Sequence, residues 1–517
     1  PDYFTYFTTP PKKSPYLRTT LLSFPPMLSR ILLSAALAAT ALSTVNAQGK
    51  LTGAVPLASY TADEVADLLT GLGIPTLFLT PKYDVELYRI TYQTPYRHPD
   101  SLVQASGLVI VPLGTDEDLP CGLPLAAYGH GTESNANYVP SKNIGNAQAI
   151  VNIAFASLGY LCAATDYLGL GDYDDRVVVH PYQHGFSQAN STINMIRATR
   201  HFMDSLSRTL NGQVYLHGYS QGGFTTAAAL REMESQYPEE FNVVASAPMS
   251  GAYDMGGAQA DLIGLDVPYP TPGYLPYIIL AYQDQYDGIL FNEYEDIFVP
   301  PYDTLLPPLF YGKETGIGTI NEFCTPVPKD MIQDSVVANF FADPNHRFRR
   351  LLAMNDMLEW APQSPVRILY CSGDDQVSSI NSERAFTRWT ELGAPSVEKN
   401  DFGAYNHNDC ALFCFLDARD FFDSFEKCPL SGEAGQGLAH GAVQLSPNPV
   451  STIALLHVPQ GISGQGVRVF DATGRLCLQT VLSGPTTELN VAALPAGWYA
   501  VQVGGGDSRR VLRFVKL

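Results

Sequence analysis

The sequence predicts a doubly wound α/β domain, a mostly parallel sheet with helices on both faces, followed by a small β-sandwich. Three observations predict it. From about residue 86 to 425, runs of strand length alternate with stretches of helical spacing, the rhythm that buries a parallel sheet between helical layers. A break in that rhythm at about 251–363 marks an insertion. Beyond a Gly/Ala-rich stretch, 443–517 changes to short alternating strands separated by Gly and Pro turns.

The elements follow in order. Residues 85–92 and 105–111 alternate apolar and polar like half-buried strands, and 123–128 is a short apolar run. A helical stretch at 146–158 leads to a strand at 160–164, and 189–206 has helical spacing with Ile193, Ile196, Ala198 and Met203 among its apolar positions. Then come a strand (214–217), a helix (222–237) and a strand (241–249). After the insertion, 366–370 (strand), 381–392 (helix), 396–399 (strand) and 411–425 (helix) close the set. The insertion is rich in Tyr, Pro, Leu and Ile, the content expected of a cap that contributes an apolar pocket; an insertion that long is usually functional. Its tyrosines between 267 and 311 suit sugar binding too, but a packed cap is the simpler account. Residues 429–442 read as a flexible linker, and strands are expected at 467–470, 476–481, 498–503 and 511–515.

The chain has 517 residues, enough for several domains, and only 16% are charged, which excludes a disordered chain. Net charge is −20; the first 47 and last 75 residues each carry +3, leaving −26 between them, a poor surface for nucleic acid. The N-terminal part carries the marks of a secretion signal: MLSR at 27–30, an apolar run from Ile31 to Leu42, and a small-x-small site at 45–47. The run is shorter than the ~20 residues a spanning helix needs, so the mature chain is expected to begin near Gln48 and to carry no transmembrane span. Residues 1–26 precede this signal and are read as upstream of the true start.

Export permits disulfides. Seven of the eight cysteines precede residue 430, so at least one there is unpaired unless it pairs with Cys477. Cys410 and Cys414, four apart on a helix, have a spacing that suits a metal, but no Cys/His set completes such a site; packing or a bridge elsewhere is the reading favoured. Asp172, Asp174 and Asp175 are likewise read as a solvated loop in preference to a Ca²⁺ site. No metal and no cofactor is expected.

The sharpest local signal is Gly218-Tyr219-Ser220-Gln221-Gly222-Gly223, between an apolar strand and a helix. A serine on that sharp turn has its hydroxyl projected above the sheet edge, beside a helix N-terminus that favours negative charge, and Gly218 and Gly222 are needed because a Cβ would clash there. A serine needs a neighbouring base, and chain order in this topology is serine, acid, histidine. His407 lies in a loop before the last helix, where a base must sit. The acid should follow strand 366–370, where Asp374 and Asp375 compete; the D-x-x-V spacing with Val377 selects Asp374, with Asp375 pointing elsewhere into solvent. An oxyanion hole needs two N–H donors. Gln221 supplies one as the residue after Ser220; Thr132 or Gly131, in the loop after strand 123–128, supplies the other. His130 is read as support for that loop.

Ser220 in GYSQGG, Asp374 in CSGDDQV, His407 in YNHNDC and the HGT loop at 130–132 together resemble the α/β-hydrolase superfamily. DYLGLG at 166–171 and HPY at 180–182 resemble its secreted lipase and esterase branch. The resemblance covers most of 80–427 and implies an eight-stranded, mostly parallel sheet, a catalytic domain over 48–428, and a cap after strand six. Cys371 stands where many relatives carry Gly. LSPNPV at 445–450, VFDATG at 469–474 and LPAGWY at 494–499 resemble the type IX secretion sorting domain, which implies export through the periplasm, contact with secretion machinery, and a secreted or surface-attached product.

The leading expectation is therefore a serine hydrolase acting on carboxylic, acyl or lipid, esters. A peptidase resembling the prolyl oligopeptidase family shares the triad, but about 38 residues between Gln48 and the first strand leave no room for a propeller. A non-catalytic binding module on the same fold would have lost the nucleophile or the base, and all three triad positions are filled.

Overall fold

The computed structural model describes residues 47–517 apart from 75, 77–78, 429–442, 447, 459–464, 505–509 and 517. The expected signal segment (27–46) and linker (429–442) lie outside the described residues.

The chain opens with β1 (Leu51–Tyr60) and α1 (Ala62–Gly71), which fill the stretch before the first expected strand. Then follow β2 (Val85–Tyr96), β3 (His98–Pro112), β4 (Leu123–Gly129), α2 (Ala147–Ala156), β5 (Leu161–Thr165), α3 (Gly185–Ser205), β6 (Leu210–Tyr219), α4 (Gln221–Gln236) and β7 (Asn242–Met249). A helical insertion comes next: α5 (Tyr274–Gln285), α6 (Tyr302–Gly312), α7 (Ile317–Glu322), α8 (Asp334–Ala342) and α9 (Arg347–Met354). The sheet resumes with β8 (Val366–Tyr370), α10 (Ile380–Glu391), β9 (Val397–Asp401) and α11 (His407–Asp423).

These nine strands form one sheet in the order β1-β2-β3-β5-β4-β6-β7-β8-β9. The pairings are antiparallel out to β5 and parallel from β5 to β9. Eight strands were expected. The ninth, β1, pairs along the outer edge of β2 with two register shifts, and its one-sided burial gives a weak alternating pattern. A helix start was legible beside it: Thr61 and Glu64 form a reciprocal capping box at α1.

Alternate side chains of each strand enter opposite cores. Leu125 and Ala127 of β4 face α3, α4 and the cap, where Ile193, Phe202, Phe224 and Leu230 are buried. Ala126 and Tyr128 face α2 and α11, with Ile153, Phe155, Phe415 and Phe422. The chain order switches direction at β4, which lies between β5 and β6, and in such sheets the crevice above the strands' carboxyl ends is where ligands bind. There Gly129 of β4 is level with Thr165 of β5 and Gly218 of β6, so three loops rise side by side.

The C-terminal strands form two sheets. One has three strands, β10 (Gln444–Ser446), β11 (Ile453–His457) and β14 (Thr486–Asn490). The other has four: β12 (Gly466–Asp471), β13 (Leu476–Val481), β15 (Gly497–Val503) and β16 (Arg510–Lys516). Leu456, Val469, Leu489, Val501 and Phe514 fill the space between them, the sandwich that the turn spacing predicts. This sandwich packs on α11: Trp498 stacks on Phe413 with centroids 5.3 Å apart, and buried Arg513 pairs with Asp420.

Candidate active site

Ser220 occupies a sharp turn between β6 and α4. Its backbone sits at φ 61°, ψ −120°, a region side-chain-bearing residues seldom enter, and its hydroxyl makes no capping bond to its own helix. The glycines explain why the turn can close. A Cβ on Gly222 would lie 1.9 Å from the Gly129 carbonyl oxygen, and one on Gly218 would lie 2.5 Å from that of Gly222. Backbone must therefore approach backbone here, and any larger residue would force β4 and α4 apart. The Gln221 amide, at the first position of α4, has no acceptor within the helix.

Asp374 and His407 are in direct contact, with Asp374 Oδ2 2.7 Å from His407 Nδ1. Asp374 is oriented by its own turn: Oδ1 accepts the N–H groups of Gln376 and Val377 at 3.0 and 2.8 Å, leaving Oδ2 for the imidazole. That is the physical content of the D-x-x-V spacing. His407 is not in a loop as expected but is the first residue of α11, capped by the Asn406 side chain on Asp409 N–H. Asp375, expected to point away, instead accepts the His407 backbone N–H at 3.0 Å. The two aspartates thus hold one histidine, by ring and by backbone. Tyr219, the residue before Ser220, donates its hydroxyl to the His407 carbonyl at 2.6 Å, which ties this histidine to the turn that carries Ser220.

The cysteines resolve into two bridges, Cys121–Cys428 and Cys371–Cys410, with Cys162, Cys324, Cys414 and Cys477 free. Cys414 is buried beside the second bridge, its sulfur 3.7 Å from that of Cys410, so packing explains the spacing of the two. Among the described residues no His/Cys/Asp/Glu group could hold a metal. Asp172 pairs with Arg89 and Lys142, and Asp174 with Arg176, so the acidic loop is ion-paired with basic side chains.

Of the two candidates for the second oxyanion donor, Gly131 is engaged: its N–H donates to Gln148 Oε1 at 2.5 Å. Tyr128 donates to the same oxygen at 3.0 Å. Thr132 remains, its hydroxyl 3.2 Å from that of Tyr182. His130 is fully buried, contacts the carbonyls of Gly131 and Asp166, and burial pushes its pKa down to about 4, consistent with loop support. Sequence reasoning missed Gln148 and assigned no task to His180, because both act through contacts across long sequence separations.

The helical insertion roofs this edge. An apolar pocket of roughly 610 Å³, counting its part open to solvent, is lined by Ala252, Met255, Ile263, Leu275, Ile278 and Phe348 among others. The roof's tyrosines pack: Tyr277 stacks on Tyr182 and on Phe310. Residues 134–136 are bonded to the roof segment 313–315, through Ala136 N–H to Lys313 O, Asn135 Nδ2 to Glu314 O and Ser134 Oγ to Thr315 O.

Residues 144–264 match the secretory lipase family, and 444–516 match a secretion system C-terminal sorting domain. The rice cell wall degrading esterase LipA from Xanthomonas oryzae is 32% identical, with a TM-score of 0.64 over 72% of this chain and 98% of that one. A candidate hydrolase from Legionella pneumophila is 27% identical, with a TM-score of 0.65 over 72% of this chain and 97% of that one. Candida antarctica lipase A, at 14% identity and a TM-score of 0.51, shares the fold. No curated protein sequence matches the chain at a significant level. No helix among the described residues is long and apolar enough to cross a membrane. The chain belongs to the secreted lipase and esterase branch of the α/β-hydrolase superfamily and carries a type IX secretion sorting domain that directs it to the cell surface or beyond.

Proposed function

We propose that the protein is a secreted serine hydrolase that cleaves carboxylic esters through an acyl-enzyme, with Ser220, His407 and Asp374 as its triad. The observation that carries this reading is the 2.7 Å contact of Asp374 with His407 Nδ1, on a histidine already tied to the residue beside an elbow serine. Ser220 Oγ attacks the ester carbonyl carbon while His407 Nε2 takes its proton. The carbonyl oxygen becomes an alkoxide that accepts from the Gln221 and Thr132 amides, and Asp374 stabilises the imidazolium. The C–O bond to the alcohol then breaks, and His407 returns the proton to the departing oxygen. Water, deprotonated by His407, attacks the acyl-enzyme carbonyl; the bond to Ser220 Oγ then breaks, His407 returns the proton to that oxygen, and the acid leaves. The hydroxyl and imidazole are left to close on each other when substrate binds, as catalytic hydrogen bonds commonly do.

The apolar pocket under the roof supports an acyl group as the part recognised, and an esterase among the relatives supports the ester bond. Turnover of p-nitrophenyl esters of increasing acyl length, beside aminoacyl and prolyl amides, tests this. Ester turnover that is lost in Ser220→Ala, together with fluorophosphonate labelling of Ser220, is expected. Turnover retained by Ser220→Ala overturns the triad, and faster amide than ester cleavage overturns the substrate class.

A further inference from the structure

His180 is buried, and its ring has a defined tautomer. Nδ1 lies 2.8 Å from the Leu168 carbonyl, which can only accept, so Nδ1 carries the proton and Nε2 is an acceptor. Burial pushes this histidine's pKa down to about 3, so it stays neutral. Nε2 lies 2.7 Å from Gln221 Nε2, which therefore donates to it. Gln221 is the residue after Ser220 whose backbone N–H the reading above takes as one oxyanion donor. Two residues beyond His180, Tyr182 meets the Thr132 hydroxyl at 3.2 Å. Thr132 is the residue whose amide that reading takes as the other donor, because the Gly131 N–H is engaged by Gln148.

We infer that residues 180–182 are a single positioning element for both oxyanion donors, His180 setting Gln221 and Tyr182 setting Thr132. The inference rests on the serine-hydrolase reading above. The two donors stand just after β4 and β6, which pair side by side up to Gly129 and Gly218, and residues 180–182 add a contact to the side chain of each donor. Pro181 stiffens it, Tyr167 stacks on His180 with centroids 5.4 Å apart, and Tyr277 stacks on Tyr182 at 4.5 Å. Neither His180 nor Tyr182 moves a proton in this scheme. Their effect through the amides is on the transition state, where the alkoxide forms, and the Tyr182 ring, which also lines the apolar pocket, is kept by the Phe substitution.

The experiment compares His180→Leu with His180→Gln, whose side-chain oxygen can stand where Nε2 accepts, and Tyr182→Phe with Thr132→Val, each in the full chain. Losing one oxyanion donor outright costs about 10²–10³ in kcat, so misplacing one is expected to lower kcat by about tenfold or more. His180→Leu and Tyr182→Phe should show that fall with KM unchanged, and should bind an acyl trifluoromethyl ketone, which forms the tetrahedral adduct, weaker by the same factor. His180→Gln should recover most of the loss. Tyr182→Phe combined with Thr132→Val should be no worse than either alone. Unchanged kcat in His180→Leu and Tyr182→Phe, or a raised KM at constant kcat, overturns the inference. So does failure of His180→Gln to recover activity while His180→Leu retains the wild-type melting temperature; if His180→Leu melts lower, equal kcat losses in the Gln and Leu variants overturn it. Each is read in enzyme that Ser220→Ala silences, so these results fall separately from failure of the triad itself.

Discussion

Cys371 is bonded to Cys410 across the gap between Asp374 and His407: one lies three residues before Asp374, the other three residues after His407. The bridge therefore fixes the end of β8 to the first turn of α11, the two elements whose separation decides whether the carboxylate meets the ring. Closing a loop of 39 residues removes unfolded-state freedom worth about 4 kcal/mol in the chain-entropy account. Cys371→Ala with Cys410→Ala is expected to lose about 2–4 kcal/mol in denaturant unfolding. It should also lower kcat, because the acid is no longer anchored at the base. Unfolding midpoint and kcat both equal to wild type would show that packing alone holds this corner.

The paired aspartates should separate cleanly in kinetics. Asp374→Asn replaces the acceptor on the ring and is expected to cost on the order of 10⁴ in kcat, since the wrong tautomer is then favoured. Asp375→Asn keeps an oxygen for the His407 backbone N–H and should cost less than about tenfold. Steady-state turnover of one short-chain ester by both variants checks the order. Equal losses would mean that ring orientation depends on the helix start as much as on the ring's own partner.

Gly222→Ala asks the elbow to admit an atom 1.9 Å from a carbonyl oxygen of β4. Both sides are backbone, so no rotamer relieves it, and the expected loss is about 3 kcal/mol or more. Thermal unfolding measures it. Wild-type stability would mean that β4 and α4 can part more easily than their packing implies.

Acid should destabilise the fold through buried histidines. Burial holds His130 and His184 at about 4 and His180 and His217 at about 3. Above their ordinary value near 6.5 they are neutral folded or unfolded and contribute nothing. Below it the unfolded chain gains protons that the folded one refuses, so stability falls with pH until the folded values are passed, near pH 3–4. At pH 5 each costs about 2 kcal/mol. Asp166, whose carboxyl burial raises, works in the opposite sense. His217 isolates the effect, because its ring stacks on Phe155 and neither nitrogen has a partner among the described residues. His217→Phe should stabilise the protein by about 1 kcal/mol or more at pH 7 and by more at pH 5. A pH-independent difference would place the acid sensitivity elsewhere.

The sheet, the elbow and the acid were legible because each rests on local pattern. An apolar run predicts β6, Gly218 and Gly222 mark the turn, and the spacing from Asp374 to Val377 encodes a turn that aims one oxygen. β1 was missed because an edge strand buries one face and alternates weakly. His407 opens α11 because Asn406, four residues before the first apolar position at Cys410, caps it. Asp375 was read as solvent-facing, and Gln148 and His180 were given no task, for a different reason: their partners are set by which loops stand together above the sheet, a fact of topology that no window of sequence contains. The disulfide pairing belongs to the same class, since Cys410 faces Cys371 only after α11 has crossed behind β8.

The seam between 134–136 and 313–315 bears on how the proposed ester would enter. Thr132 lies two residues before it, so lifting the roof on that margin would pull on the amide that the serine-hydrolase reading sets beside the developing charge. On that reading the roof gives way elsewhere, at another part of the pocket wall, such as the one Leu262 and Ile263 line.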